Sequence, residues 1–205
     1  TAAHVRVVFV GTPFQALEAI LEDMTPGTAM HYSYLPSDVV FTFPSAFELA
    51  LPPRDQCDPL LYDADFWERR RVAAFGAPAL QRELATEFRA IARDMLDAAA
   101  QFRAHALRPD FAGTALAGVR VATLTGSSHP TKTGLPAAFF DLATPIDWQS
   151  FKREPGDGRV PHSSATALPA GLEVVAHVSS KGDHGGILRD TAAVLEAVEA
   201  LRKAQ

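Results

Sequence analysis

Two short loops hold the residues of this chain best suited to chemistry. In "EPGDGRVPHSS", residues 154–164, Asp157 stands between two glycines and is followed by Val160 and Pro161. In "KGDHGGIL", residues 181–188, His184 has a similar glycine setting. A histidine that takes up a proton, oriented by a carboxylate preceding it in the chain, is the second half of a Ser…Asp…His triad. The residue types therefore point to acyl transfer, with Asp157 as the acid and His184 as the general base. The flanking glycines allow the tight backbone turns such loops need.

Each residue also has a plainer reading. Asp-Gly is common turn chemistry, and a loop histidine can simply bond to backbone. His162 and His177 are rival bases. His177 falls inside a predicted strand and reads as a satisfied core or sheet residue, whereas His162, five residues after Asp157, could line a pocket. Asp157, His162, Asp183 and His184 could ligate a metal on paper, but no H-E-x-x-H or paired-cysteine spacing supports one. Neither a metal nor an organic cofactor is expected. Ser127, Ser128, Ser163 and Ser164 lack an elbow around them and read as turn hydroxyls. Thr1 raises the idea of an N-terminal nucleophile, but a processing boundary explains it better.

These loops need elements to hold them. "HVRVVFVGTPF", residues 4–14, is a β-branched apolar run of the kind covered on both faces in a parallel sheet. "GVRVATLTGS" (118–127) and "GLEVVAHVSS" (171–180) are two more. A short helix is predicted over 14–24, ended by Pro26-Gly27. Residues 31–80 read as loops and short helices packed on a partner surface. Leu80, Leu84, Phe88, Ile91, Met95, Ala98 and Phe102 recur at helical steps, and Pro109 stops that segment. The last helix has Asp190 as N-cap, with Val194, Leu195, Val198 and Leu201 inward. Strands alternating with helices predict an α/β fold with a mostly parallel sheet. Asp157 and His184 then lie just beyond strand ends, where open α/β sheets carry their working residues. Three strands make a thin sheet, so further chain is expected to complete it.

The order of motifs resembles the lecithin:cholesterol acyltransferase-like lipases, which are α/β-hydrolases. "GDGRVPHSS" is similar to their Gly-Asp-Gly-Thr-Val-Pro loop, with Arg159 in place of threonine. "VRVVFVGTPFQALEAI" resembles the strand ending in Gly-Thr-Pro, with Ala16-Leu17 where Gly-Ser is common. "PSAFELALPP" (44–53) and "DADFW" (63–67) resemble segments of the family's cap, and "TGSSHPTKTG" (125–134) its glycine-rich turn before Pro-Thr. "HGGILRDTAAVLEAV" fits the catalytic histidine and final helix. The resemblance implies the C-terminal half of a hydrolase core at 1–13 and 111–205, with a helical cap or lid at 14–110. It also implies a substrate pocket touched by Thr12, Pro13 and Phe14, with His162 a further lining candidate. No Gly-x-Ser-x-Gly occurs in the chain. By analogy that elbow belongs roughly 20–30 residues before Thr1. The expected partner is thus an N-terminal hydrolase fragment or second chain bearing the serine, and the expected substrate a small ester or lipid-like acyl compound. The alternative is a non-catalytic subunit or degenerate hydrolase that binds a protein partner.

Composition narrows the remaining classes. A chain of 205 residues with 47% hydrophobic content can bury a sizeable core. A net charge of −5 with interspersed signs offers no basic stripe for nucleic acid. No apolar run approaches the roughly 18–20 residues that span a bilayer. The single cysteine, Cys57, excludes an internal disulfide and, with no visible leader, favours a cytoplasmic setting.

Overall fold

The computed structural model describes residues 5–17, 19–23, 44–75, 81–105, 113–114, 117–144 and 146–204. It is a mixed α/β protein. The strands are β1 (Arg6–Val10), β2 (Arg120–Gly126), β3 (His129–Thr133), β4 (Lys152–Gly156) and β5 (Glu173–Ser180). The α-helices are α1 (Ala19–Asp23), α2 (Pro44–Ala50), α3 (Ala64–Phe75), α4 (Gln81–His105), α5 (His162–Thr166) and α6 (Thr191–Lys203). Two compact units emerge. One comprises Thr1–Leu17, Leu107–Thr133 and Arg153–Gln205; the other comprises Glu18–Ala106 and Gly134–Lys152. Residues 134–152 therefore group with the helical unit, and 14–17 with the sheet.

In the sheet unit the three β-branched runs pair in parallel, in the order β1-β2-β5. Val7 aligns with Val121 and Val10 with Leu124; across the next ladder Leu124 aligns with Val178. Central β2 is buried on both faces: Val121, Ala122, Thr123, Leu124 and Thr125 are at most 1% exposed. That is what a continuous apolar run in a parallel sheet requires. β3 and β4 form a separate two-stranded sheet that the sequence pattern does not announce. On one face of the main sheet, Ala193, Ala197 and Leu201 of α6 pack with Ala122, Leu124 and Val178. Fully burying a leucine or valine there stabilises the fold by about 1.5–3 kcal/mol.

Helix α6 is capped as expected, Asp190 accepting from the Ala193 N–H at 3.3 Å. Its inward face is not the expected one. Leu201 is buried and Val194 is partly buried, but Leu195 and Val198 are 56% and 50% exposed. Small Ala193 and Ala197 face the sheet instead, so side-chain size at the contact outweighs hydrophobicity in setting the helix's rotation. The predicted helix over 14–24 is also shorter, beginning at Ala19 among the described residues. Before it, Phe14 and Gln15 are held irregular by Ser164, which accepts from Phe14 N at its carbonyl (3.1 Å) and from Gln15 N at its hydroxyl (3.1 Å).

The helical unit has its own core of Phe47, Leu51, Leu61, Phe66, Trp67, Leu96, Ala99 and Phe139, among others. Phe47 and Trp67 meet edge to face at 5.4 Å, and the Trp67 indole N–H donates to Leu61 O at 2.8 Å. Within the span 31–80, residues 44–75 thus include the twelve-residue α3 and much of this core; residues 31–43 lie outside the described residues. Helix α4 buries Ala92, Leu96, Ala99 and Arg103. The expected stripe of Phe88, Met95 and Ala98 lies beside that seam, and Ile91 is 38% exposed. Arg103 is kept inside by donating to Leu49 O at 3.1 Å. Leu80 and Pro109 fall outside the described residues. Among those described, no helix is long and apolar enough to cross a membrane.

Candidate active site

Asp157 follows β4 directly and sits in a bend built by its neighbours. Its Oδ1 accepts from the backbone N–H of Arg159 (2.8 Å) and of Val160 (2.6 Å). The side chain is only 1% exposed. Gly158 has φ +88°, a conformation that favours glycine, and its N–H donates to Thr131 Oγ1 at 2.8 Å. The Thr131 hydroxyl, itself fully buried, donates on to His129 O at 3.0 Å. Close packing leaves no room for a side chain at two other glycines. A Cβ on Gly156 would fall 2.3 Å from Thr131 Oγ1, and one on Gly126, at the end of β2, 2.4 Å from Asp157 Cβ.

His184 lies in the loop after β5. The free oxygen of the acid, Asp157 Oδ2, meets His184 Nδ1 at 2.8 Å, and the His184 backbone N–H donates to Asp157 O at 2.8 Å. Two bonds therefore hold the histidine against one residue. An ionised carboxylate only accepts, so the proton of the neutral imidazole is assigned to Nδ1, leaving Nε2 as the acceptor. The side chain is 48% exposed, and Nε2 has no partner among the described residues. Gly11 backs the pair: its φ is +54°, and a Cβ there would come within 3.3 Å of both Asp157 Oδ2 and His184 Nδ1.

Electrostatics matches this geometry. Burial pushes the Asp157 carboxyl up, but the hydrogen bonds from His184, Val160 and Arg159 outweigh it and hold the group below its usual range. The hydrogen bond to Asp157 raises the imidazole of His184 above its ordinary value, against the opposing effect of burial. An ionised acid and a histidine of raised basicity, open at Nε2, can take a proton from a hydroxyl and return it to a leaving group.

The other predicted residues are placed differently. Thr12 bonds back to Val10 O at 3.4 Å, Pro13 is half-buried, and Phe14 packs edge to face on Phe9 at 4.9 Å. Of the Gly-Thr-Pro segment it is Gly11 that packs beside the acid–base pair. His162 begins α5 and bonds through Nδ1 to Thr125 Oγ1 at 2.9 Å. His177 bonds in the same way to Thr123 Oγ1 of the adjacent strand at 2.8 Å, as a sheet residue would. Ser163 Oγ donates to Glu154, and Ser164 Oγ holds Gln15 N, so neither serine serves His184. Among the described residues no three His, Cys, Asp or Glu side chains group as metal ligands would. Thr131, Gly126 and Gly11 are supporting residues that sequence reasoning did not single out; for Gly11 the signal was the turn signature Gly-Thr-Pro at the strand's end.

A cavity of about 510 Å³ in the helical unit, lined by Arg54, Leu60, Tyr62, Asp63, Arg93 and Asp97 among others, includes none of these residues. Tyr62 donates there to Pro52 O at 2.8 Å, and burial pushes its phenol up to about 12, so it is a neutral donor rather than a base. The chain matches no family model and no curated protein.

Proposed function

We propose that this chain contributes the acid and base of a serine-hydrolase-type reaction on an ester-linked acyl group, as hydrolase or acyltransferase. In this reading its fold is that of an α/β-hydrolase, allied by motif order to the lecithin:cholesterol acyltransferase-like lipases, with the helical unit as the cap insertion. The nucleophilic serine comes from a separate or upstream segment. His184 Nε2 takes the serine proton as the hydroxyl attacks the carbonyl, then gives it to the leaving alcohol; Asp157 keeps Nδ1 protonated and stabilises the imidazolium. The observation that carries the reading is the 2.8 Å contact between a buried, backbone-anchored carboxylate and a half-exposed imidazole.

The test is to purify the chain with its natural associates, treat the preparation with a serine-directed phosphonate probe, and follow ester hydrolysis. A labelled serine on an associated polypeptide or upstream segment is expected. Asp157→Asn and His184→Ala should each lower turnover by about 10⁴-fold while leaving circular dichroism unchanged. Wild-type turnover in either variant would sink the assignment. A second reading, a non-catalytic subunit that binds a partner protein, is favoured by one observation: no serine bonds His184 among the described residues. Partner binding without any probe-reactive serine would establish that reading instead.

A further inference from the structure

The loop carrying His184 is fastened at both ends by one carboxylate. Asp190 Oδ1 accepts from Ala193 N at 3.3 Å, the cap of α6. Its other oxygen, Oδ2, faces back across the loop and accepts from Ser180 Oγ at 3.0 Å and from Lys181 N at 3.3 Å. Ser180 is 1% exposed, and its hydroxyl in turn accepts from Gly182 N at 2.9 Å. A helix cap needs only one of those oxygens. The second spans nine residues and ties the end of β5 to the start of α6.

Between the two anchors the chain is held by the His184 N–H on Asp157 O and by local turns, Gly186 N donating to Asp183 O at 2.9 Å and Arg189 N to Gly186 O at 2.8 Å. Gly182 presses on Gly186 and Ile187, where a Cβ would lie within 2.9 Å of backbone atoms of both. Ile187 plugs into the sheet unit's core. Asp183, His184 and Gly185 are exposed. A loop with five exposed residues, Leu188 and Arg189 among them, and three glycines loses considerable conformational entropy when ordered. Hydrogen bonds at its two ends reduce the freedom left to His184.

We propose that Asp190, acting through Ser180, is a positioning residue for His184: its Oδ2 closes the loop so that the imidazole reaches Asp157, a task separate from its Oδ1 capping of α6. This rests on the reading of His184 as the general base. Asp190 touches no reacting atom, so its removal changes where the base sits rather than what it is.

Two substitutions separate the tasks. Asp190→Ser keeps an oxygen for the cap but is too short to reach Ser180 and Lys181. Ser180→Ala leaves the cap intact and removes a neutral group, so any change in His184 reports geometry rather than charge. The measurement is the titration of His184 by ¹H–¹⁵N NMR of the imidazole, assigned with His184→Ala, alongside thermal unfolding. The wild-type chain is expected to titrate above about 6.5, with the neutral form protonated at Nδ1. In both variants the midpoint should fall toward that value and the Nδ1 tautomer lose its dominance, while a single cooperative unfolding transition is retained. Wild-type titration in both variants would overturn the positioning role and leave the Asp157–His184 pair standing. A wild-type chain whose His184 titrates as in a free peptide would overturn the pair and the positioning role together. In the assembled enzyme the same variants should lower kcat about tenfold or more with KM unchanged.

Discussion

Asp157 and His184 are each anchored by backbone as well as by the other's side chain, and this sets how they should titrate. His184 has a raised pKa in the folded chain, so its contribution to stability is complete below about pH 6.5 and is lost as pH climbs through the folded value. Asp157 has a lowered pKa, so its contribution is present above about pH 3.9 and is lost as pH falls through the folded value. The pair should therefore stabilise the fold most between about pH 4 and 6.5. Denaturant unfolding of the wild type and of His184→Gln across this range should differ most inside that window. An equal difference at pH 5 and pH 9 would contradict the pairing. The proposed function needs the opposite state of the histidine, a neutral imidazole, so if that proposal holds turnover should rise above about pH 6.5. Both residues were legible in the sequence, because glycine-flanked acid and base in that chain order form a local pattern. Thr131 was not, since its role lies in meeting Gly158 across 27 residues of chain.

At the scale of elements, periodicity located helices but fixed only part of the side they bury: Phe88, Met95, Val194 and Leu201 pack on the cores, whereas Ile91, Leu195 and Val198 are exposed. In α4 and α6 apolar residues occupy a wider arc than the neighbours can cover. The contact side is then chosen by packing: Ala92, Leu96 and Ala99 in α4, and Ala193 and Ala197 in α6. The consequence for α6 is measurable. Ala197 is fully buried, so Ala197→Leu should overpack the contact and cost about 1–3 kcal/mol in urea unfolding. Leu195→Gln, at a position 56% exposed, should change stability by no more than about 0.5 kcal/mol. Reversed magnitudes would restore the face expected from hydrophobicity alone. The cap of this helix was readable because Asp before a helical run is a short-range signal. The second use of the same carboxylate, on Ser180 and Lys181, was not.

At the scale of the whole molecule, the described residues form two hydrophobic cores with no residue in common, one built on the sheet and one on α2, α3 and α4. Phe66 is 1% exposed and touches Trp67, Phe139 and Phe140. Phe66→Ala should therefore destabilise the helical unit by about 3–5 kcal/mol. The titration of His184, which belongs to the sheet unit, should be unchanged. A shifted His184 midpoint in that variant would mean that the acid–base pair depends on the second core.

What the sequence determined by itself was local: three β-branched strands, the long helix, the cap at Asp190, and an acid-bearing loop ahead of a base-bearing one. Such features depend on residues within a few positions of each other, where side-chain period and backbone preference act. Tertiary structure decided what depends on distant neighbours. It set β2 between β1 and β5, paired β3 with β4, and gathered 134–152 into the helical unit. It also closed the 27 residues between Asp157 and His184 to 2.8 Å. Such closures rest on buried partners met across long loops, whose entropic cost only a formed core offsets.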